Sequence, residues 1–458
     1  MKIMAPKNRI CLIVLILLFK LNGFAQKSVL DGYIDTALKS NLVIQQKNIS
    51  YEKASYALKI ANSLFLPTIA GQGNYITAQG GRNIDIPLGT LLNNVYSTLN
   101  QLTAARNFPQ VANESVNFYP KDFYDVKVHT TIPIINSDIV YTKRIADQQL
   151  QLQEYEIEAY KRELVKNIKS AYYNYQNSLQ LISIYQSSLA LAVEGKRSSE
   201  KLLENGKGLP AYVSRSESEV AEIEAQITRC RKQAENAALY FNFLLNRDGN
   251  IPINVSNDEE ISLKQVIELI SQEAGIEGRE ELKSLNKIVE ITKNKEKMTK
   301  AFAVPKVNGF ADLGLQAENM KFNSQAKYYM VGLQLNIPLF EGRRNTYKVK
   351  QAALDVESSK LAMQDTFRQL SLSATVSKNN LLVEWKSYQS SLTQVAAASS
   401  YFRLIDRGYK VGTNSYIETV DARNQLMTAK LSSQVSLFNV LIAAADLERQ
   451  TASYHLTK

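Results

Sequence analysis

Few residues of this chain have the types and spacing that catalysis requires. His129 and His455 are its only histidines, and they lie far apart in the sequence. Neither has a neighbour at metal-ligand spacing, and no Ser-His-Asp arrangement can be assembled around them. Apart from Cys11, near the N-terminus, Cys230 is the only cysteine, which excludes a cysteine metal cluster. We therefore expect no enzymatic activity and no cofactor.

A glycine-lysine pair and a pair of carboxylates are the remaining candidates. Gly206-Lys207-Gly208 has letters of a phosphate-binding loop, but no Ser or Thr follows the lysine and the upstream glycine is missing. Glu418 and Asp421 lie three residues apart on one predicted helix, so both carboxylates can point in the same direction. They could form an acidic site, or they could belong to an ordinary solvated helix face.

The N-terminus has the pattern of a secretion signal. Basic residues precede the apolar run CLIVLILLF at 11–19, and the small residues Gly23 and Ala25 follow it. The run is about half of the ~20 residues that span a bilayer, so we predict a signal peptide, 1–25, in preference to a membrane anchor. Its removal takes away four basic residues and reduces the formal charge from +10 to +6. No dense basic stripe remains, so we expect no nucleic-acid binding.

Four segments alternate between apolar and polar residues. They are 124–132, 306–317, 328–338 and a weaker one after Pro67. After the signal, no run is apolar for the ~18 residues that a membrane helix needs. A soluble sheet could explain one such strand, but four of them behind a signal peptide favour transmembrane β-strands, which are apolar outside and polar inside.

The chain also repeats itself. Pro133 and Gly208 are 75 residues apart, and Pro338 and Gly412 are 74 apart. Each half has the order helix, strand, loop, strand, very long helix, turn and long helix. We place the first repeat at 26–246, an equatorial linker at 247–262 and the second repeat at 263–458. The connection between the two strands is longer in the first repeat than in the second, and the additional residues form a loop at 80–123, which we expect to be functional or partly helical.

The very long helices are predicted at 139–205 and 343–407, where proline is absent. A heptad seam in the first helix passes through Ile168, Tyr175, Ile182 and Leu189. At 1.5 Å per residue such a helix reaches roughly 100 Å, and it must pack along its length against neighbours.

Four motifs together give a resemblance to a known family. They are LFLPTIAG at 64–71, TIPIIN at 131–136, LNIPLFEGRRN at 335–345 and VGTNSYIETVDARNQL at 411–426. The mature chain resembles the TolC family of outer-membrane efflux proteins. The resemblance implies a mainly α fold with transmembrane β: a trimeric, 12-stranded β-barrel with four strands per subunit, continuous with a long periplasmic α-helical barrel.

The resemblance also implies a function and partners. The chain would be an outer-membrane channel subunit giving passive passage from periplasm to exterior in a tripartite efflux or type I secretion complex. Its partners would be two further copies in a homotrimer, a periplasmic adaptor and, through the adaptor, an inner-membrane pump, with outer-membrane lipid around the barrel. The alternative is a periplasmic coiled-coil scaffold or adaptor, which accounts for the signal and heptads but not for the strands.

Residue roles follow from the same resemblance. Glu418, Asp421 and Glu217 would form the periplasmic gate, with Asn414 at a position where family members can carry an arginine. The sequence register pairs Gly208 with Gly412, and both glycines would let the chain reverse at the helical tips. Adaptor docking at these tips would involve Gly208, Leu209, Val411, Gly412 and Thr413.

Overall fold

The computed structural model describes residues 28–117, 121–256 and 259–456, and for 259–261 it describes the backbone alone. The predicted signal peptide, 1–25, therefore lies outside the described residues. Helices dominate the order of elements, which runs as follows: α1 (Val29–Ser40), α2 (Leu42–Ser63), β1 (Thr68–Ile76), β2 (Asn83–Ile86), α3 (Leu88–Leu102), β3 (Glu114–Asn117), β4 (Phe123–Ile135), α4 (Ser137–Glu204), α5 (Pro210–Leu244), α6 (Glu259–Ser271), α7 (Glu280–Lys300), β5 (Lys306–Ala317), β6 (Lys327–Asn336), α8 (Arg344–Lys410) and α9 (Tyr416–Thr451).

The four predicted strands and the two very long helices are confirmed. Strands β1, β4, β5 and β6 form one antiparallel sheet, in that order. Helices α4 and α8 are continuous over 68 and 67 residues. The loop predicted at 80–123 contains the two short strands β2 and β3 and the helix α3, so the expectation of a partly helical loop is also confirmed.

Two compact units divide the described chain. The first unit is helical and comprises 28–54, 149–289 and 357–456. The second unit comprises Ser55–Gln148 and Glu290–Val356 and contains both sheets.

In the second unit, the register of the four-stranded sheet separates apolar from polar residues. Paired residues of antiparallel strands share a face, so Ile69 shares a face with Thr130, Ala311 and Val331 across the sheet. The same face carries exposed apolar side chains from every strand: Ile69, Val126, Val128, Leu313, Val331, Leu333 and Leu335. The opposite face is mostly polar, with Gln72, Asn74, Asp125, Lys127, His129, Asp312, Gln316 and Gln334.

A cluster of charges lies on the polar face. The Lys127 ammonium donates to Asp312 at 3.0 Å, and the His129 ring contacts the same carboxylate through Nδ1. The other ring nitrogen of His129 lies 2.9 Å from the Thr131 hydroxyl. Lys127 and His129 thus provide the Asp312 carboxylate with hydrogen-bond and charge partners, so this side chain can be buried among its neighbours on the polar face of the sheet.

The sheet has two open edges. Within the described residues, β1 pairs only with β4, and β6 pairs only with β5. The outer edges of β1 and β6 therefore present backbone N–H and C=O groups without partner strands.

In the first unit, an aromatic cluster packs α1 against α4 and α5. Phe241 is fully buried, and the Tyr33 ring meets it edge-on with centroids 5.1 Å apart. The Tyr172 ring lies 5.8 Å from the Phe241 ring, and the Arg247 guanidinium lies over the Tyr33 ring at 5.0 Å.

Charged residues that are mostly half-buried join α4, α7 and α9 in the first unit. The Arg162 guanidinium binds both oxygens of Glu280, at 2.7 and 2.9 Å, and donates to the backbone oxygens of Ala452 and Tyr454. Arg449 bridges Glu163 and Glu281. Burial raises the pKa of Glu281, but hydrogen bonds from Arg279 and the charge of Arg449 outweigh this effect and lower that pKa to about 2.

Helix α9 has the length and apolar composition to cross a membrane. Its apolar residues Phe438, Val440 and Leu441 are instead buried in a cluster with Val266 of α6 and Leu381 of α8. By length and composition α9 is thus an exception to the sequence expectation that the chain has no apolar run long enough to span a membrane, and 28% of its apolar stretch is buried within the chain.

The aromatic cluster predicts a large stability difference between two phenylalanines of the same helix. Substitution of Phe241 by alanine should lower the free energy of unfolding by about 3–5 kcal/mol, because it leaves a cavity between three elements. Phe243→Ala is the matched control, since Phe243 is 73% exposed and its removal leaves no cavity in the chain. Thermal unfolding followed by circular dichroism measures both; equal losses would contradict the packing.

Candidate functional site at the helical turns

The candidate site lies in the first unit, where two turns reverse the chain between long helices. Each turn starts with a glycine at positive φ, Gly206 at +69° after α4 and Gly412 at +80° after α8. Both close with the hydrogen bonds typical of a glycine-terminated helix: Lys207 N donates to Leu202 O at 2.8 Å, and Thr413 N donates to Gly408 O at 2.8 Å. Each following helix begins four residues after its glycine, at Pro210 and at Tyr416.

This geometry corrects the sequence register at the first turn. The register pairs Gly208 with Gly412, but the residue with the left-handed conformation of Gly412 is Gly206. Gly208 is needed for a different reason, because a Cβ there would lie 2.7 Å from the backbone nitrogen of Leu203. In the first turn, Gly206 therefore supplies the left-handed conformation and Gly208 allows the close backbone approach, whereas the sequence register assigned both roles to Gly208.

Glu418, one of the predicted gate carboxylates, caps helix α9. Its side chain accepts hydrogen bonds from Ser415 N at 2.7 Å and from Asn414 Nδ2 at 3.2 Å, while Glu418 N donates to the Ser415 hydroxyl. This reciprocal pair is a capping box, which satisfies the free N–H groups at the helix start. The backbone N–H of Ser415, followed by the Asn414 amide, lowers the pKa of Glu418.

The other two predicted gate carboxylates are paired with cations of α4 and α5. Asp421 lies 3.3 Å from Arg215 Nη2, and Glu217 lies 3.2 Å from Lys196 Nζ. All four side chains are partly exposed, so these contacts are weak in water. The Glu217 carboxylate raises the pKa of Lys196. The structure thus places the three predicted gate residues near the turns, each with a partner in its own chain.

An ion pair that sequence reasoning missed lies two residues further along α9 and α5 than Asp421 and Glu217. Arg423 of α9 and Glu219 of α5 are both buried, and the guanidinium contacts the carboxylate through Nη2. Nη1 donates to Leu191 O of α4 at 2.9 Å. A Cβ on Gly195 would lie 2.8 Å from this nitrogen. Gly195, the only glycine of α4, therefore makes the space that the guanidinium occupies.

Apolar and aromatic side chains surround this ion pair. The Tyr416 ring lies between Tyr212 at 5.6 Å and Tyr409 at 6.2 Å. A small core of Ala192, Ile223 and Ile227 packs nearby. Water screens an ionic contact poorly in such surroundings, so removal of one partner is costlier here than at the exposed pairs.

The predicted docking residues are found at the tips of the turns. Leu209 and Val411 are 55% and 76% exposed. The Thr413 hydroxyl donates to Gly408 O at 3.0 Å, and Thr413 as a whole is exposed. In the part of the chain that the structure describes, no group of His, Cys, Asp and Glu residues could hold a metal ion.

Comparison with known proteins identifies relatives of this architecture. Residues 276–452 match the family model described as "Outer membrane efflux protein". Outer membrane protein TolC of Escherichia coli is 25% identical over 142 residues, which cover 31% of this chain and 28% of that protein's length.

Solved structures match over nearly the whole chain. A membrane protein from Pseudomonas aeruginosa superimposes with a TM-score of 0.73 at 16% identity and covers 93% of each chain. The CmeC outer membrane channel of Campylobacter jejuni gives a TM-score of 0.72 at 15% identity, covering 93% of this chain and 85% of CmeC. At these identities the likeness is one of fold.

The buried ion pair predicts unequal costs for two acidic residues near the turns. Glu219→Leu should lower the free energy of unfolding by about 3–5 kcal/mol, because it leaves the Arg423 charge buried without its partner. The matched control is Asp421→Leu, which removes an exposed pair between the same two helices and should cost at most about 1 kcal/mol. Chemical unfolding of both variants tests this difference, and a Glu219→Leu protein as stable as the control would refute it.

The cap at Glu418 predicts a pH-dependent contribution to stability. Because the folded-state pKa is lowered, the contribution is present at neutral pH and is lost as the pH falls through the folded pKa. The difference in melting temperature between the native protein and Glu418→Ala should therefore be larger at neutral pH than in acid. A difference that stays constant over this range would show that the charged carboxylate does not cap the helix.

Proposed function

We propose that this chain is a subunit of an outer-membrane channel. Two observations support the proposal: residues 276–452 match the outer membrane efflux protein family, and the described residues have the fold of TolC-like outer-membrane channels. The protein is located in the outer membrane, with its helical part in the periplasm. In this proposal solutes pass through it from the periplasm to the exterior without a chemical step. The energy would come from an inner-membrane pump, linked by a periplasmic adaptor.

The observation that carries the proposal is the four-stranded sheet. One face exposes apolar side chains from all four strands, which a lipid environment would cover. The opposite face carries Lys127, His129, Asp312 and other polar groups that would line a water-filled lumen. Both outer edges lack partner strands within the described residues, and an open edge is not tolerated in lipid.

Closure of the sheet requires further copies of the chain. Four strands are too few for a barrel, whereas three copies supply twelve, an even number within the range of bacterial barrels. The β1 edge of one copy would pair with the β6 edge of the next. We therefore propose a homotrimer, and the repetition of one edge contact around a threefold axis would close it.

The helical turns are the proposed periplasmic gate and docking surface. The exposed Leu209 and Val411, beside Gly208, Gly412 and Thr413, offer apolar contacts close to the backbone for the helices of an adaptor. Threefold repetition would bring several copies of Glu418, Asp421 and Glu217 around the pore. Such a ring of carboxylates favours cations.

The periplasmic scaffold remains the alternative, and the exposed apolar sheet face counts against it. A soluble scaffold would leave this face in water, although monomeric soluble proteins rarely expose large contiguous apolar patches. Cell fractionation separates the two functions, since the channel belongs in detergent extracts of the outer membrane and the scaffold in the soluble periplasm.

The gate predicts a change of ion selectivity in planar bilayers. Channels carrying Glu418→Ala with Asp421→Ala should prefer cations less than the native channel, because two rings of negative charge are lost. Glu235→Ala serves as the control, since it removes an exposed carboxylate of α5 that pairs with Lys232 and is not among the proposed gate residues. Conducting channels whose selectivity is unchanged by the double substitution would remove these carboxylates from the gate, and absence of any conductance in the native protein would refute the channel itself.

A further inference from the structure

We infer that the apolar face of α3, in the long loop between β1 and β4, packs on a neighbouring copy of this chain. The α3 face is defined here by Leu91, Leu92, Val95 and Leu102. The inference deepens the proposed function and rests on it, because it names a contact between subunits of the proposed trimer. It concerns the loops at one end of the sheet and not the barrel strands.

The polar side of α3 is already occupied within its own chain. Asn93 exchanges two hydrogen bonds with the backbone of Val111, at 2.9 and 2.8 Å. Asn100 does the same with Phe108, at 2.8 and 3.1 Å. These two asparagines lie seven residues apart on one side of the helix and hold an extended segment against it. Gly89 belongs to the same side, because a Cβ there would lie 2.3 Å from Val111 O.

Within the described part of the chain, the apolar side of α3 is left largely uncovered. The four residues of the α3 face are between 36% and 78% exposed. This is the reverse of an ordinary surface helix, which buries its apolar side and exposes its polar side. Since the polar side is fixed by paired hydrogen bonds, the helix cannot simply turn over to bury its leucines.

The lack of charged residues on α3 argues against water, and against a lipid surface, as the surroundings of the α3 face. None of its fifteen residues is charged. A helix lying on a membrane surface usually carries Lys or Arg on its polar face to meet lipid headgroups. The polar face of α3 has asparagines instead, and their side chains form hydrogen bonds with the backbone of their own chain. Another protein surface is therefore the environment that suits the α3 face.

The position of α3 beside an open sheet edge identifies that surface as a second copy. The loop that contains α3 begins directly after Ile76, at the end of the edge strand β1. The β5–β6 connection, 318–326, leaves from the same end of the sheet, because Ile76 pairs with Phe123, and Ala317 pairs with Tyr124. It leads into β6, the other edge strand. Pairing of β1 with β6 of the next copy would bring the two loops together.

The β5–β6 connection presents apolar side chains that fit this role. Met320 and Phe322 are 53% and 72% exposed. The connection is held in a defined shape, since Tyr124 donates to Lys321 O at 2.8 Å and Asn319 N donates to Asp122 O at 3.0 Å. Met320 has a φ of +52°, a conformation that non-glycine residues rarely adopt. We assign Met320 and Phe322 of one copy as the contact for the α3 face of the next.

Chemical cross-linking tests this contact. A Val95→Cys, Met320→Cys protein, purified as the full chain from outer membranes, is treated with a short bis-maleimide and separated under denaturing conditions. We expect bands of two and three linked chains. The matched control is Asn94→Cys with Met320→Cys, because Asn94 is exposed but points about 100° away around the helix, and its linked bands should be lost. The buried Cys230 is present in both proteins.

Native electrophoresis of the same samples separates failure of the contact from failure of the channel. If the trimer is present but the Val95→Cys pair gives no more linked bands than the control, the inference is wrong and the proposed function is untouched. Absence of any trimer would refute both. A fluorophore attached to the new thiol of a Val95→Cys protein reports on lipid. If a lipid-soluble quencher reaches it inside an intact trimer, the α3 face belongs to lipid and the inference is overturned.

A second variant covers the case in which the cysteines disturb folding. Leu91→Asp with Val95→Asp should lower the temperature at which the trimer dissociates in detergent, while the circular dichroism spectrum of the chain stays unchanged. Asn94→Asp, the charge control on the same helix, should leave the dissociation temperature unchanged. Equal dissociation temperatures for the two variants would contradict the contact.

Discussion

Backbone hydrogen bonding at the two edges of one sheet governs what this chain can be. Among the residues that the structure describes, strands β1 and β6 each pair on one side only, and the sheet between them exposes an apolar face. Water could form hydrogen bonds with the backbone groups of the two edges, but exposure of the apolar face to water is unfavourable. Lipid would cover the apolar face, but it offers no hydrogen bonds to the backbone groups of the edges. Only an environment that supplies both lipid and further strands resolves this conflict. In the proposed trimer, repetition of the chain around an axis would supply the strands and the outer membrane would supply the lipid.

The helical unit has a comparable arrangement of strong and weak interactions. Buried aromatic and aliphatic clusters hold the helices along their length, and these contacts are indifferent to small changes of pH or salt. Close to the turns the contacts become ionic, with exposed pairs at Asp421 and Glu217 and a buried pair between Arg423 and Glu219. Exposed pairs are easily exchanged for water, and a buried pair is costly to break. Rearrangement of the turns would therefore be confined to the residues beyond the buried pair.

Much of the fold could be predicted because its signals are local and periodic. Two-residue alternation gave the four strands, and the absence of proline gave α4 and α8 almost to their ends. The turns were located by their glycines, but their conformations were not, because Gly206 and Gly208 differ in φ and not in residue type. The Arg423–Glu219 pair was missed because it joins residues 204 positions apart, and a lone arginine on a helix usually faces solvent. The only feature of the sequence that could have indicated this pair is Gly195, because a glycine inside a long helix suggests that another group approaches the helix closely there.

The number of copies in the assembled protein tests the central claim most directly. Native mass spectrometry of the protein released from lipid nanodiscs would give that number without any substitution. The account predicts one species with three chains, because three copies of the sheet leave no edge unpaired. A folded, stable particle of a single chain, with its four strands formed and its apolar face in lipid, would contradict it.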